Sequence, residues 1–201
     1  MKNRQKVKRM SFSDVKMAFP EIEKKEQAFY IGRRKYIYDT SGTIINSVDD
    51  GKINTATICV RGEDGFLKEG SVSIPDSEYL ALRHGNHASE SSARALFDFI
   101  GQKTSVEWGL KREPNGWLVW TDKNSDGINP KVDNKTIHFT HSHHGDSAAI
   151  PSEIDRATAA NAKAQGYNIK WTVFYNGIYQ DYDEDEPYGD PYGYDYPHNN
   201  Y

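Results

Sequence analysis

Residues 136–166 read TIHFTHSHHGDSAAIPSEIDRATAANAKAQG, and this stretch decides the fold. Its first eight residues alternate β-branched, aromatic and imidazole side chains, which predicts a strand. Residues two apart on a strand share a face, so His141 and His143 project together with Ser142 opposite. The Ala-rich run after Pro151 predicts a helix over 152–165. Ser152 is its N-cap, Asp155 three residues on completes a capping box, and Gly166 closes it. Two imidazoles on one strand face are half of a zinc site, and neutral imidazole suits that ion. Asp155 opens the next helix, where the helix N-terminus favours a carboxylate. It is the candidate third ligand. Ser152 and Asp155 by themselves read as a helix cap; the HxH upstream turns the reading toward a metal.

Working outward, NIKWTVFY and IYQDYD predict a hairpin across Asn176-Gly177. On the other side, SESSARALFDFIGQK places Ala93, Leu96, Phe97 and Ile100 on one helical face, with Gly101 as the expected stop. TSVEWGLKR and GWLVWT read as two strands joined through Pro114-Asn115-Gly116. Residues 89–182 thus read as one α/β unit, a mixed sheet flanked by helices. Residues 30–88 read as a small β-rich lead-in. Two hairpins, in YIYDTSGTIINSV and TATICVRGEDGFLKEGSVSI, predict an antiparallel region there. Residues 1–29 are charged and peripheral, with Ser13 as an N-cap and Pro20 as a breaker. Residues 183–201 are acidic, rich in Tyr, Pro and Gly and without aliphatic side chains, which predicts a disordered tail.

The chain has 201 residues and a formal net charge of -4. Its length suits one domain with a core, and its charge offers no basic field for nucleic acid. The basic opening MKNRQKVKRM reads as a solvated terminus. The lone Cys59 excludes an intrachain disulfide and a cysteine zinc cage, and its apolar surroundings read as core. No apolar run approaches the ~18–20 residues that span a bilayer, and no signal peptide stands at the N-terminus. The expectation is a soluble protein without membrane contact, cytoplasmic or delivered by a secretion system.

A hydrolytic zinc site also needs a base. Glu107 is the candidate, a lone acid in the apolar SVEWGL run. Glutamate, then HxH, then a spacer, then S-x-x-D resembles the JAB/MPN (JAMM) metallopeptidase family. The pattern falls on Glu107, His141, His143, Ser152 and Asp155 and covers roughly residues 89–182. The resemblance implies zinc on His141, His143 and Asp155. Glu107 would be the proton-transferring base, and Ser152 would help stabilise the oxyanion. It implies a protein or peptide substrate cleaved at an amide or isopeptide bond. Two departures stand out. His144 replaces a common proline, and the spacer is one residue longer than usual, so His144 competes as a ligand unless it faces away as strand alternation requires. HSHHGDSAAIPSEIDRA and the hairpin-rich lead-in look most like the JAB-like toxin domains of bacterial polymorphic toxins. That implies a cognate immunity protein as partner.

Other readings follow from other features. A catalytically silent JAB/MPN-like scaffold is the main alternative, although such domains usually lose ligands that are all present here. A metal-dependent nuclease lacks its basic, aromatic-interleaved patch. His84 and His87 form a second histidine pair in a loop with no evident partner acid and read as surface residues. Trp117, Trp120 and Trp171 fall on predicted strands and read as core rather than as a carbohydrate platform.

Overall fold

A computed structural model describes residues 33–48, 54–144 and 149–185. The expectations for residues 1–29 and for most of the acidic tail lie outside the described residues. Over the described residues the architecture is mixed α/β, with two mixed sheets and three helices.

The first sheet holds β1 (Arg33–Tyr38), β2 (Ile44–Val48), β3 (Thr55–Val60) and β4 (Val72–Pro75) in the order β2-β1-β3-β4. Both predicted hairpins form, β1 with β2 and β3 with β4. The lead-in is not wholly antiparallel, however, because β1 and β3 pair in parallel. The cause lies in TATICV, whose last five residues are all buried. Such a run belongs in the middle of a sheet covered on both faces, not on one side of an isolated hairpin.

Helix α1 (Asp76–Arg83) follows β4 directly and was not anticipated. Pro75 sits at its N-cap, Asp76 and Glu78 fill the acidic first turn, and Tyr79 and Leu82 are its buried apolar residues. Helix α2 (Glu90–Lys103) starts at the Ser89 cap and buries Ala93, Leu96, Phe97 and Ile100 as predicted. Gly101 does not stop it. A Cβ there would lie 3.1 Å from Ser142 Cβ, so glycine lets the helix approach the sheet closely.

The second sheet holds β5 (Gly109–Glu113), β6 (Gly116–Trp120), β7 (His138–Ser142), β8 (Lys170–Tyr175) and β9 (Ile178–Tyr182) in the order β6-β5-β7-β8-β9. β7 and β8 are parallel and are joined through α3 (Glu153–Ala164), the crossover that parallel neighbours require. Asn176 and Gly177, both at positive φ, make the tight turn into β9.

The two sheets share a core. Tyr36, Tyr38, Ile58 and Val60 of the first cluster with Leu110, Trp117, Val119 and Phe174 of the second and with the apolar face of α2. The lead-in is therefore a separate sheet within one packed unit. The opposite face of the second sheet has its own cluster, in which Phe139, Trp171, Val173 and Tyr182 receive Ala159 and Ala162 of α3. No described helix is long and apolar enough to cross a membrane.

Candidate metal centre

β7 pairs with β5 and β8 on either side, which pins its register. That register puts His141 on the α3 face, level with Gly109 and Val173. His143 lies just past the strand, but its N–H still donates to Phe174 O at 2.8 Å, so the alternation carries on. Ala149 and Pro151 are buried, which ties the returning chain to the sheet before α3 begins.

Ser152 caps α3 as expected. Its hydroxyl accepts from Asp155 N at 3.2 Å and donates to Asp155 Oδ2 at 2.7 Å. Its backbone N–H donates to the same Oδ2 at 2.7 Å. The cap thus holds the carboxylate by one oxygen and turns it toward the histidines. His141 Nε2 lies 3.2 Å from Asp155 Oδ1, and His143 Nε2 lies 3.5 Å from Asp155 Oδ2. The two Nε2 atoms are 3.1 Å apart. His141, His143 and Asp155 form a group that could hold a metal ion. It stands where ligands gather in α/β folds, past the C-terminal end of parallel strands and at a helix N-terminus.

Burial pushes the Asp155 carboxyl up, but the imidazoles of His141 and His143 and the Ser152 hydroxyl outweigh it and hold it well below the ordinary range. The carboxylate is therefore ionised and ready for a cation. His141 is 2% exposed, and its Nδ1 has no hydrogen-bond partner among the described residues. Ligating histidines usually rely on such a partner for orientation. Aromatic packing serves instead: Phe139 stacks on the ring at 5.8 Å, and Tyr182 meets it edge-on at 6.2 Å.

Glu107 is not on a strand, which corrects the expectation. It lies in the run between α2 and β5, two residues before Gly109. The strand starts late because other groups take the backbone of this run. Glu107 N donates to Asn124 O at 2.9 Å, and Thr121 Oγ1 donates to Glu107 O at 2.7 Å. Ser142 fixes the next residue, its N–H donating to Trp108 O and its Oγ accepting from Trp108 N, each at 2.9 Å. Continuing the antiparallel pairing of Gly109 with His141 places Glu107 beside His143 on the metal face. Glu107 is 9% exposed. Burial raises its carboxyl, His141 and His143 oppose that, and Asp155 and Asp126 add to it.

His144 is partly buried, and its imidazole is held below its usual proton affinity by burial and by His143. It is not a member of the group of three. His84 caps the C-terminus of α1, while His87 Nε2 pairs with Glu113 Oε2 at 2.9 Å, a partner acid that the sequence did not reveal. Trp117 and Trp171 are buried core residues. A cleft of about 480 Å³ lies along the far half of α3, between Lys163, Trp171 and Tyr182. None of His141, His143 and Asp155 lines it, so ligand chemistry rather than cleft size locates the site. Comparison with protein-family models, with curated proteins and with solved structures returns no match to this chain.

Proposed function

We propose that this chain is a zinc-dependent amide hydrolase of the JAB/MPN (JAMM) metallopeptidase type. One observation carries the reading. The Nε2 atoms of His141 and His143 are 3.1 Å apart and face the Asp155 carboxylate, His141 at 3.2 Å from Oδ1 and His143 at 3.5 Å from Oδ2. Three corners of a tetrahedron with metal bonds of ~2.0–2.1 Å are ~3.3 Å apart. Two imidazoles and one carboxylate also match the donor set of hydrolytic zinc sites, which keep the fourth position open. Zinc held by His141, His143 and Asp155 would supply Lewis acidity there, enough to activate water near neutral pH and to polarise a carbonyl.

The chain's own groups supply the rest. An amide yields only if water loses a proton and the departing nitrogen gains one. We assign both transfers to Glu107, whose carboxyl is buried and responds to His141, His143 and Asp155. It takes the proton as the water oxygen bonds to the carbonyl carbon, then gives it to nitrogen as the C–N bond breaks, leaving an acid and an amine. Its burial raises its proton affinity toward that of a group able to give the proton back. The double hydrogen bond of Trp108 with Ser142 holds it against β7, so it is in place before substrate arrives.

The test pairs metal content with turnover on a fluorogenic peptide and isopeptide library. Glu107→Gln keeps zinc and fold and loses about 10²-fold or more in kcat. His141→Ala loses zinc and activity together. Wild-type behaviour in both variants refutes the reading in favour of a silent scaffold.

A further inference from the structure

A cavity of about 350 Å³ is lined by residues of both sheets and of α1 and α2, and the three candidate metal ligands are not among them. That volume falls within the ~300–1,000 Å³ typical of small-molecule sites. Its apolar walls come from Leu82 of α1, Leu96 of α2 and Val119 of β6, with Trp108 beside them, all four buried. The two leucines belong to the buried stripes of their helices.

Two tyrosines of the lining add polar groups. Tyr38 and Tyr79 are buried, and their hydroxyls lie 3.0 Å apart. A bond between two hydroxyls uses one of their two protons. Burial pushes both phenols up, so both protons stay on at neutral pH and one is left for another acceptor.

The charged lining residues are Arg83 and Lys123, both exposed, and no Asp or Glu lines the cavity. The Arg83 charge acts on both phenols, which places it on the side of the hydroxyl pair. Its guanidinium lies 5.8 Å from the Tyr36 ring centroid, against an aromatic face. Lys123 acts on Asp39, but Asp39 Oδ1 accepts from Ser41 Oγ at 2.7 Å and from Thr43 N at 2.9 Å, which holds that carboxylate in its own turn. A neutral apolar guest would leave both cations unused, and an inorganic anion would leave the apolar walls uncovered. A molecule with an apolar body and a negative head meets both.

We propose that this cavity binds a small carboxylate with an apolar body, the body against Leu82, Leu96 and Trp108 and the carboxylate at Arg83 and Lys123. The site is independent of the zinc-hydrolase reading.

The experiment titrates the full chain by calorimetry with 4-phenylbutyrate, with its neutral amide 4-phenylbutyramide, and with acetate, which has the head without the body. The same titrations are run on the double variant Arg83→Gln, Lys123→Gln, whose substitutions fall on exposed side chains and leave the core untouched. Wild type should bind one 4-phenylbutyrate per chain with a Kd of ~1 mM or tighter. The amide and acetate should each bind at least about 5-fold more weakly, and the double variant should lose at least about 5-fold for 4-phenylbutyrate while its weaker binding of the amide is unchanged. No saturable binding of 4-phenylbutyrate up to about 10 mM overturns the proposal. Amide binding as tight as the carboxylate also overturns it, because the cations would then contribute nothing, and acetate binding as tight would do so for the walls. A smaller loss in the double variant places the carboxylate elsewhere, the candidate metal centre included, and overturns it as well.

Discussion

Ser152→Ala separates two duties of the same hydroxyl. Accepting from Asp155 N at 3.2 Å, it caps α3; donating to Asp155 Oδ2 at 2.7 Å, it steadies a metal ligand from behind. Loss of a serine cap costs about 1 kcal/mol whether or not metal is bound. Loss of a partner behind a ligand weakens metal affinity by ~10–100-fold. At a fixed excess of free zinc, each tenfold in Kd removes about 1.4 kcal/mol of metal-linked stability. The variant should therefore lose about 1 kcal/mol in chelator and about 2.4–3.8 kcal/mol in zinc. Urea denaturation in EDTA and in a zinc buffer of known free concentration measures both. Equal losses in the two media would refute the support role. A wild-type chain that zinc does not stabilise at all would refute the metal centre.

Two further outcomes follow from the fold. Gly101→Ala puts a Cβ 3.1 Å from Ser142 Cβ and 3.4 Å from Ser142 Oγ, the atom that holds Trp108. It should cost about 1–3 kcal/mol in urea denaturation and lower kcat without lowering zinc content. His138 is pushed down to about 4, by burial first and then by the Lys170 and Arg94 charges. Its folded pKa lies below the unfolded ~6.5, so the unfolded chain takes up the proton first as pH falls. Metal-free protein should lose about 2 kcal/mol between pH ~6.5 and ~4, a figure reduced for partial exposure. In His138→Gln denaturation curves at pH 7 and 4.5 should differ less by that amount.

The residues with local signatures were legible. The capping box at Ser152 and Asp155 formed as expected, and so did the Asn176-Gly177 turn and the His141 and His143 face, because each depends on spacings of two to four residues. What escaped depends on neighbours distant in sequence. The parallel pairing of β1 with β3 is decided by what covers TATICV, not by either hairpin turn. Gly101 looked like a helix stop, because glycine's packing role shows only once Ser142 is beside it. Glu107 looked like a strand residue, because nothing in SVEWGL announces that Thr121, Asn124 and Ser142 claim its backbone neighbourhood. Tyr182 falls in the second strand of the predicted hairpin, where it pairs with Trp171. Its approach to His141 needs the β7-β8-β9 order, which sequence periodicity does not supply. Helix α1 had a readable start in Pro75, Asp76 and Glu78, but at eight residues it is too short for periodicity to stand out.

The first sheet bears on the site through the segment that carries Glu107. Ser105 N donates to Thr40 O at 2.7 Å, which fastens that segment to the β1–β2 turn. Gly42 in the same turn, at a φ of 73°, leaves room for Trp108 and Val106, which a Cβ would meet at 3.0 and 3.1 Å. Thr104 adds a further hold, accepting from Trp108 Nε1 at 2.8 Å while its own hydroxyl donates to Ile100 O at 2.8 Å. The candidate base is thus set by the first sheet on one side, by α2 behind and by Ser142 of β7 in front. The three candidate ligands sit on or just past β7, which β5 and β8 flank, and on α3. Removing the lead-in would therefore release Glu107 before it released the ligands.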